Sequence, residues 1–362
     1  MSGEQLVVWT EQPLNAETPL SRLCGSEVTA NELFFVRSHG PVPTVDPGSY
    51  RLELRGDVDE PLSLSLRELR DRFPQATVTA TVACAGNRRA ELQRVAPVPG
   101  AVPWGAGAIG NAVWRGVRLR DVLLAAGLGP EAQHVAFTGL DRVEANGGAV
   151  SFGGSVPLEK ALSPEVLLAY EMNGRPLPPE HGFPLRAVVP GYIGARSVKW
   201  LATVTIQAEP SSNHFQARDY RLDGRPLAEL PLNSAVCRPL AGARVLGPTV
   251  VAEGYAVTGG SRRVERVEVS SDGGETWVQA ALRGDDRSRT WRLWRAELDV
   301  RPGRRELIVR AQDSSGARQP AGVTATWNAK GYMNNAWHRV AFDVEDVRAE
   351  RPGSATPLVA SA

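Results

Sequence analysis

The last third of the chain constrains the fold most, because its sequence pattern changes sharply after about residue 225. The segments RVERVEVSSDGGETW, LWRAELDV and RRELIVRAQDSSG alternate apolar and polar residues and are separated by turns rich in Gly, Asp and Ser. Such alternation is typical of strands that bury one face. These segments predict an all-β immunoglobulin-like sandwich over residues 226–346, with Trp291, Trp294 and Trp327 in its core. The composition of RAERPGSATPLVASA predicts a flexible tail at 347–362.

The first 225 residues mix strand and helix signals. YRLELRG and ATVTATVACAG alternate like strands, whereas SLRELRDRF begins with the capping-box spacing of Ser65 and Glu68 and predicts a short helix. VRLRDVLLAAGLG predicts a second helix that ends at Gly127, and Asn173-Gly174 predicts a tight turn. The strands and helices do not alternate as they do in a doubly wound sheet. The sequence therefore predicts an α+β domain over residues 1–225.

Charge and cysteine content exclude several classes of function. The 362 residues include 41 Lys and Arg and 40 Asp and Glu, so the chain as a whole has no electrostatic preference for nucleic acid or a membrane surface. Cys24, Cys84 and Cys237 form no CxxC pair, which argues against a disulfide framework and a zinc site. MSGEQLVVWTEQP contains neither a basic region followed by an apolar run nor a twin arginine. We therefore expect a cytoplasmic protein without a membrane span.

Cys84 lies in the segment ATVACAGNRRA, shortly before Arg88 and Arg89. Nearby cations favour the thiolate, which is the form that attacks electrophiles and binds metals. A nucleophilic role lacks its partners, because Ala83 and not histidine precedes Cys84, and Ala90 stands where cysteine phosphatases have arginine. A buried unreactive cysteine and a ligand to a soft metal both remain open from these residues alone.

The segment CAGNRR resembles the molybdenum-cofactor loop of the sulfite oxidase family, and the resemblance covers nearly the whole chain. It continues through NELFFVRSHGPVP at 31–43, PWGAGAIGNAVWRGVRLRDVL at 103–123, LLAYEMNGRPLPPEHGFPLRAVVPGYIGARSVKWL at 167–201, HFQARDYRL at 214–222, VEVSSDGGETW at 267–277 and WNAKGYMNNAWHRV at 327–340. Motifs of this length in one order are highly specific. The resemblance implies an α+β molybdopterin-binding domain followed by an immunoglobulin-like Mo-co dimerisation domain, and therefore a homodimer.

The resemblance also implies how the molybdenum–molybdopterin cofactor is bound. Cys84 would be the protein thiolate on the metal, and the phosphate of the pterin requires donors and positive charge. Asp141 matches the family more weakly, because its loop DRVEANGGAVSFGGSV departs from the usual pattern, and Ser38 replaces a common asparagine. The other positions that match the family's cofactor-binding pattern are Phe35, Arg37, His39, Asn87, Arg88, His181, Arg186, Ser197, Val198 and Lys199.

The implied reaction is the oxidation of sulfite to sulfate at a mononuclear molybdenum centre. Arg37, Arg89 and Arg339 match positions around a small oxyanion, Trp104 matches the wall of the substrate pocket, and Tyr220 matches its hydroxyl group. Because Arg339 lies near the end of the second domain, the sandwich is expected to return a residue to the active site.

Two alternatives remain beside this function. A related molybdenum enzyme that acts on nitrate or a sulfoxide would share the cofactor loop, although Tyr220 and the three arginines favour sulfite. A non-catalytic protein that keeps the fold is the second alternative, and the intact Cys84 argues against it. The sequence contains no CxxCH motif, so we expect no haem, and electrons would leave to an external acceptor such as a cytochrome or oxygen.

Overall fold

The computed structural model describes residues 5–145, 147–284, 286 and 289–346. The strands before residue 227 are β1 (Val7–Thr10), β2 (Asn15–Glu17), β3 (Val36–Arg37), β4 (Leu52–Gly56), β5 (Leu62–Leu64), β6 (Gln75–Ala83), β7 (Ile109–Arg118), β8 (His134–Ala145), β9 (Gly148–Pro157), β10 (Leu167–Met172), β11 (Arg175–Pro176), β12 (Arg186–Val188), β13 (Leu201–Gln207), β14 (Arg221–Leu222) and β15 (Arg225–Pro226). The later strands are β16 (Asn233–Arg238), β17 (Arg244–Leu246), β18 (Thr249–Val257), β19 (Val264–Ser270), β20 (Val278–Gln279), β21 (Ala281–Arg283), β22 (Arg292–Asp299), β23 (Gly303–Asp313) and β24 (His338–Glu345).

The helices of the described residues are short, and all the α-helices lie in the first part of the chain. They are α1 (Leu20–Leu23), α2 (Leu66–Arg72), α3 (Arg89–Gln93), α4 (Leu119–Ala126) and α5 (Leu158–Ala161). There are also 3₁₀ turns at Asn31–Leu33, Pro179–His181, Gly194–Arg196 and Val323–Thr326, and a π-helical turn at Phe215–Asp219. Over the parts of the chain described, no helix is long and apolar enough to cross a membrane.

The local signals for helices and turns are confirmed. The Ser65 hydroxyl accepts from the Glu68 N–H at 3.2 Å, and the Glu68 carboxylate accepts from the Ser65 N–H at 2.8 Å, which completes the capping box of α2. Helix α4 ends at Gly127, whose φ of 69° suits glycine. Asn173 and Gly174 have φ values of 53° and 76° and form the turn between β10 and β11.

The first part of the chain contains two five-stranded sheets and a small three-stranded sheet. One sheet has the order β11-β10-β7-β6, with β12 also pairing with β10, and the other has the order β5-β4-β13-β8-β9. The three-stranded sheet is β1-β2-β3. Leu54, Val135 and Val204 lie in the core of this part, which α4 and α5 help to cover. Mixed pairing, with β4 and β13 parallel and the other pairs antiparallel, confirms the α+β class.

The second part of the chain is a β-sandwich, as expected. A four-stranded sheet, β16-β18-β22-β21, faces a five-stranded sheet, β17-β24-β23-β19-β20. Both sheets contribute to one core, to which Ala252, Trp294, Leu307 and Phe342 belong. Buried and exposed positions alternate along β24, as they do in a strand that packs one face on a core.

The two parts of the chain pack closely against each other, and this contact corrects the prediction for two tryptophans. Trp294 lies in the sandwich core as expected. Trp291 is buried instead in the core that joins the two parts, where it stacks on Tyr255 and its indole N–H donates to the Glu27 carbonyl at 3.0 Å. Trp327 is 37% exposed and donates to the Ala96 carbonyl at 3.2 Å, so it bridges the two parts at the surface.

Candidate active site

A pocket of about 670 Å³ opens in the first part of the chain, and it brings together many of the predicted site residues. Ser38, noted in the sequence as a departure from the family pattern, also lines it. So do Phe34, Phe152 and Trp200, which the sequence did not single out as site residues. The predicted residues that line the pocket are Phe35, Arg37, His39, Cys84, Asp141, His181, Arg186, Ser197, Lys199 and Tyr220.

Cys84 follows the last residue of β6 and borders the pocket with 8% of its surface exposed. The chain turns immediately after it, because the Asn87 N–H donates to the Cys84 carbonyl at 3.0 Å. The Gly86 N–H donates to the thiol sulfur at 3.4 Å. A Cβ at position 86 would run into the guanidinium of Arg89, so a larger residue there would displace that side chain.

Arg186 is buried in the wall of the pocket. Its guanidinium donates to the carbonyls of His181 and Ser197 at 2.8 and 3.0 Å and lies 4.9 Å from the ring centroid of Trp114. Burial lowers the pKa of Arg186 to about 9. No carboxylate of the described residues lies within ion-pair distance of this guanidinium, so its charge is left for a ligand to neutralise.

Lys199 adds a second buried cation. Its ammonium group donates to the Ser38 hydroxyl at 3.0 Å and to the Glu180 carbonyl at 2.8 Å. Burial, and then the charge of Arg186, lowers the pKa of Lys199 to about 7. Asp141 is the only carboxylate among the described residues that line the pocket. The pocket is therefore suited to a ligand with a phosphate or a similar anionic group.

Asp141 lies on β8 at a point where the pairing with β9 is irregular. Burial raises the pKa of its carboxyl group to about 6. Its Oδ1 atom is buried and has no hydrogen-bond partner among the described residues. An unsatisfied buried acceptor costs about 1–3 kcal/mol, so this oxygen marks a position where an N–H group of a ligand would fit.

His39 and Tyr220 form a neutral hydrogen-bonded pair on one side of the pocket. The Tyr220 hydroxyl lies 2.9 Å from His39 Nε2, and the imidazole stacks on Phe152 at a centroid distance of 4.5 Å. Burial, together with the charges of Arg37 and Lys199, holds the pKa of His39 well below 6.5. Burial also raises the pKa of Tyr220 to about 12. With its proton on Nε2, neutral His39 donates to the Tyr220 oxygen, which leaves the phenolic O–H free to donate to a ligand.

Arg89 lies beside the pocket and contacts the second part of the chain. Its Nε atom donates to the Gly331 carbonyl and its Nη1 atom to the Val102 carbonyl, both at 2.9 Å. Its Cζ atom lies 5.0 Å from the ring centroid of Tyr332, and that ring stacks on Tyr220 at 5.2 Å. Sequence reasoning missed Gly331 and Tyr332, although both stand in the motif WNAKGYMNNAWHRV that it had selected.

Arg339 does not reach the pocket, which corrects the prediction for this residue. It lies on β24, where side chains alternate between the two faces of the sheet, and its neighbour His338 takes the inward position. The side chain of Arg339 is 41% exposed and pairs with Glu306 at 2.9 Å. The sandwich does return residues to the site, but they are Gly331 and Tyr332.

Arg88 also differs from its predicted place in the cofactor pocket. It adopts a left-handed φ of 66°, which turns its side chain away from that of Arg89 and into the interface between the two parts of the chain. The guanidinium is fully buried and pairs with Glu91 at 2.7 Å. It also donates to Asn233 Oδ1 at 2.7 Å and to the Ala336 carbonyl at 2.8 Å. Its donors are taken up by the protein, so Arg88 ties the two parts together.

Asn87, Trp104 and Val198 likewise lie outside the lining of the pocket. Asn87 bridges the two parts, because it donates to the Tyr255 hydroxyl at 2.9 Å and accepts from the Ala108 N–H at 3.1 Å. The Trp104 ring is fully buried in the apolar cluster behind Cys84, and the Val198 side chain is buried in the core. These three residues therefore belong to the packing around the pocket and not to its lining.

Comparison with known proteins identifies the class to which this fold and site belong. The model of the oxidoreductase molybdopterin-binding domain matches residues 39–215, and the model of the Mo-co oxidoreductase dimerisation domain matches residues 225–345. The sulfane dehydrogenase SoxCD from Paracoccus pantotrophus superposes with a TM-score of 0.79 at 28% identity, over 93% of this chain and 88% of that chain.

Relatives that match more than nine-tenths of this chain identify the family within this class. Sulfite oxidase from Gallus gallus is 48% identical over 92% of this chain and 77% of that protein. Mitochondrial sulfite oxidase from Rattus norvegicus is 45% identical over 95% of this chain, which spans 66% of the rat protein. A nitrate reductase from Oryza sativa is 36% identical over 92% of this chain and 40% of that protein. The chain belongs to the sulfite oxidase family of molybdopterin-dependent oxidoreductases.

The domain boundaries predicted from the sequence, at 225/226 and 346/347, stay predictions. The first boundary falls within β15 (Arg225–Pro226), which pairs with β14, and the next strand, β16, begins at residue 233. Residues 347–362, predicted as a tail, lie outside the described residues.

Proposed function

We propose that this chain oxidises sulfite to sulfate at a molybdenum centre that would be bound directly by the Cys84 thiolate and by a molybdopterin. One observation supports this most directly. The thiol of Cys84 and the hydroxyl of Tyr220 border the same pocket, whose described lining includes the cations Arg37, Arg186 and Lys199 against the one carboxylate of Asp141. The names of the relatives at 45–48% identity point to the same reaction.

The residues present fit the cofactor. Cys84 would supply a soft thiolate ligand to the metal. Arg186 and Lys199, which form no ion pair with any described carboxylate, would bind the phosphate of the pterin. The unpaired Oδ1 of Asp141 would accept from an N–H group of the pterin ring. His181, which accepts no proton at neutral pH because burial lowers its pKa to about 3, would pack as a neutral ring.

The remaining residues act on the substrate. When bound, the molybdenum cofactor supplies oxygen-atom transfer and takes up the two electrons released as sulfite and water become sulfate and two protons. Arg37 and Arg89 would bind the oxyanion by charge-assisted hydrogen bonds. Tyr220 would orient the anion through its hydroxyl, which stays protonated at neutral pH because burial raises its pKa to about 12. His39 would hold that hydroxyl in place.

Two assays on the purified holoenzyme test the proposal. Steady-state oxidation of sulfite with ferricyanide is compared with reduction of nitrate and of a sulfoxide with a reduced viologen. We expect sulfite oxidation to exceed both reductions. Faster turnover of nitrate or sulfoxide would assign the pocket to the related reaction, for which the similarity to a nitrate reductase is the supporting observation. A protein that contains no molybdenum after expression in a host that makes the cofactor would indicate a non-catalytic role.

The partners follow from the same family membership. We propose a homodimer through the second domain, since residues 225–345 match a dimerisation domain; sedimentation of the full-length protein at several concentrations tests this. We also propose an external electron acceptor and no haem, because the 362 residues contain no CxxCH motif; absorption spectra of the reduced protein test the second point. The expected cytoplasmic location stays a prediction, which fractionation of cells expressing the protein would check.

A further inference from the structure

The loop between the 3₁₀ turn Val323–Thr326 and β24 brings an aromatic ring of the second domain against the site of the first. The ring of Tyr332 stacks on that of Tyr220, with centroids 5.2 Å apart and planes inclined by 15°. The Cζ atom of Arg89 lies 5.0 Å from the centroid of the Tyr332 ring. One side chain therefore contacts both the phenol and the guanidinium that would meet the oxyanion.

Hydrogen bonds hold the backbone of this loop in place on both sides of Tyr332. Asn328 Oδ1 accepts from the Tyr332 N–H at 3.1 Å, and Asn328 Nδ2 donates to the Tyr332 carbonyl at 2.7 Å. The Met333 N–H donates at 2.7 Å to the carbonyl of Ala85, the residue that follows Cys84. The position of the Tyr332 ring is thus set by the protein backbone and requires no ligand.

Arg89 is enclosed by the same loop. Its side chain passes between Gly86 and Gly331, and a Cβ at position 331 would lie 2.8 Å from its Cγ and Nε atoms. Two backbone carbonyls, those of Val102 and Gly331, accept from it. An arginine side chain loses up to about 2 kcal/mol of conformational entropy when it is ordered, so a residue that orders it before the anion arrives improves binding.

We propose that Tyr332 is a positioning residue of the anion site. Its ring holds the guanidinium of Arg89 and the phenol of Tyr220 in the orientation that binds a small oxyanion next to Cys84. The ring–ring contact and the cation–π contact supply the attraction, and the Asn328 and Met333 hydrogen bonds supply the rigidity. The identity of the anion as sulfite rests on the proposed function, whereas the positioning role rests on the contacts of Tyr332.

The test uses the full-length holoenzyme and three variants, Tyr332→Phe, Tyr332→Leu and Tyr332→Met. Tyr332→Leu is expected to raise both the KM for sulfite and the Kd for sulfate, measured by calorimetry, about tenfold, with a smaller change in kcat. Tyr332→Phe keeps the ring and is expected to stay within about twofold of wild type. Tyr332→Met also removes the ring and has a side chain of about the same volume as leucine. It replaces Tyr332→Leu in the comparison if that variant does not fold.

Tyr170→Leu is a matched control, because the buried Tyr170 ring also has a guanidinium, that of Arg70, 4.5 Å from its centroid. Unlike Tyr332, which contacts Arg89 and Tyr220, Tyr170 makes its cation–π contact away from the anion site. Tyr170→Leu is expected to lower thermal stability without changing the Kd for sulfate. Unchanged anion affinity in Tyr332→Leu, or an equal loss in Tyr332→Phe, would overturn the proposal, and so would a wild type that binds no sulfate. A wild type that binds sulfate but does not oxidise sulfite refutes the proposed function alone.

Discussion

Removal of the Arg88 side chain is expected to destabilise the whole protein, because this residue joins the two domains from a fully buried position. Its Nε and Nη2 atoms donate to the two oxygens of Glu91 at 2.8 and 2.7 Å. Its Nη1 atom donates to Asn233, Ser234 and Ala336 of the second domain at 2.7, 3.1 and 2.8 Å. Arg88→Ala leaves the carboxylate largely buried without its cation, which costs about 3–5 kcal/mol.

Neutralising the remaining charge should recover part of this loss. In Arg88→Ala/Glu91→Gln no unpaired carboxylate remains, so the double variant should be more stable than Arg88→Ala by about 1–2 kcal/mol. The free energy of unfolding is measured in urea with two spectroscopic probes, since coincident transitions are needed for a two-state treatment. Arg67→Ala is the control, because Arg67 forms an exposed pair with Asp71 that is worth less than about 1 kcal/mol.

The effect of Arg88→Ala should also depend on pH in a defined direction. Burial alone would raise the pKa of Glu91, but the charge and hydrogen bonds of Arg88 hold it below the ordinary value of 4.5. A lowered carboxyl pKa contributes stability above the unfolded pKa, and this contribution is lost as the pH falls through the folded value. The difference between wild type and Arg88→Ala should therefore be largest near neutral pH and shrink as acid protonates Glu91, first in the variant, where burial raises its pKa, and then in wild type.

Two results would refute this reasoning. The first is an Arg88→Ala variant within about 1 kcal/mol of wild type at neutral pH, which would show that the buried ion pair contributes little. The second is an Arg88→Ala/Glu91→Gln variant that is no more stable than Arg88→Ala, because the cost would then not come from the unpaired carboxylate.

The remaining predictions concern catalysis. Arg89→Gln should raise the KM for sulfite on the order of 30-fold, as expected for one charge-assisted hydrogen bond, and lower the molybdenum content much less; loss of molybdenum with unchanged kinetics would contradict this. Gly331→Ala should also raise KM, because its Cβ would lie 2.8 Å from Arg89 and its φ is +61°; a KM equal to wild type would show that Arg89 can shift freely. Tyr220→Phe should lower kcat without changing the shape of the pH profile between about pH 7 and about pH 10, since the pKa of Tyr220 is raised to about 12 and that of His39 lies well below 6.5; a lost inflection in that range would argue otherwise. Residues 1–225 expressed alone should not turn over sulfite, and normal turnover would refute the contribution of the second domain.

Much of the fold could be predicted because the signals are local. The Ser65–Glu68 capping box, the Asn173-Gly174 turn and the alternating strands each depend on neighbours in sequence, and all three are confirmed. The lining of the pocket was predictable for a different reason. Motifs that match the family in the same order assign residues such as Cys84 and His181 to one site. The spacing between these residues in the sequence does not.

What the sequence could not predict is the direction in which individual side chains point. Arg88 and Arg89 are adjacent, yet the left-handed φ of 66° at Arg88 sends one guanidinium to the domain interface and leaves the other near Tyr220. A non-glycine residue seldom adopts this conformation, and no local sequence pattern predicts it. Arg339 was misplaced because one step along a strand reverses the face to which a side chain belongs.

The hydrogen bond from the Met333 N–H to the Ala85 carbonyl joins residues 248 positions apart in the chain (333 − 85 = 248) at a distance of 2.7 Å. On the ribosome, the residues that line the pocket are therefore all synthesised well before the loop that encloses Arg89. The surroundings of Arg89 therefore cannot be complete until residues 331–333 have been added to the chain.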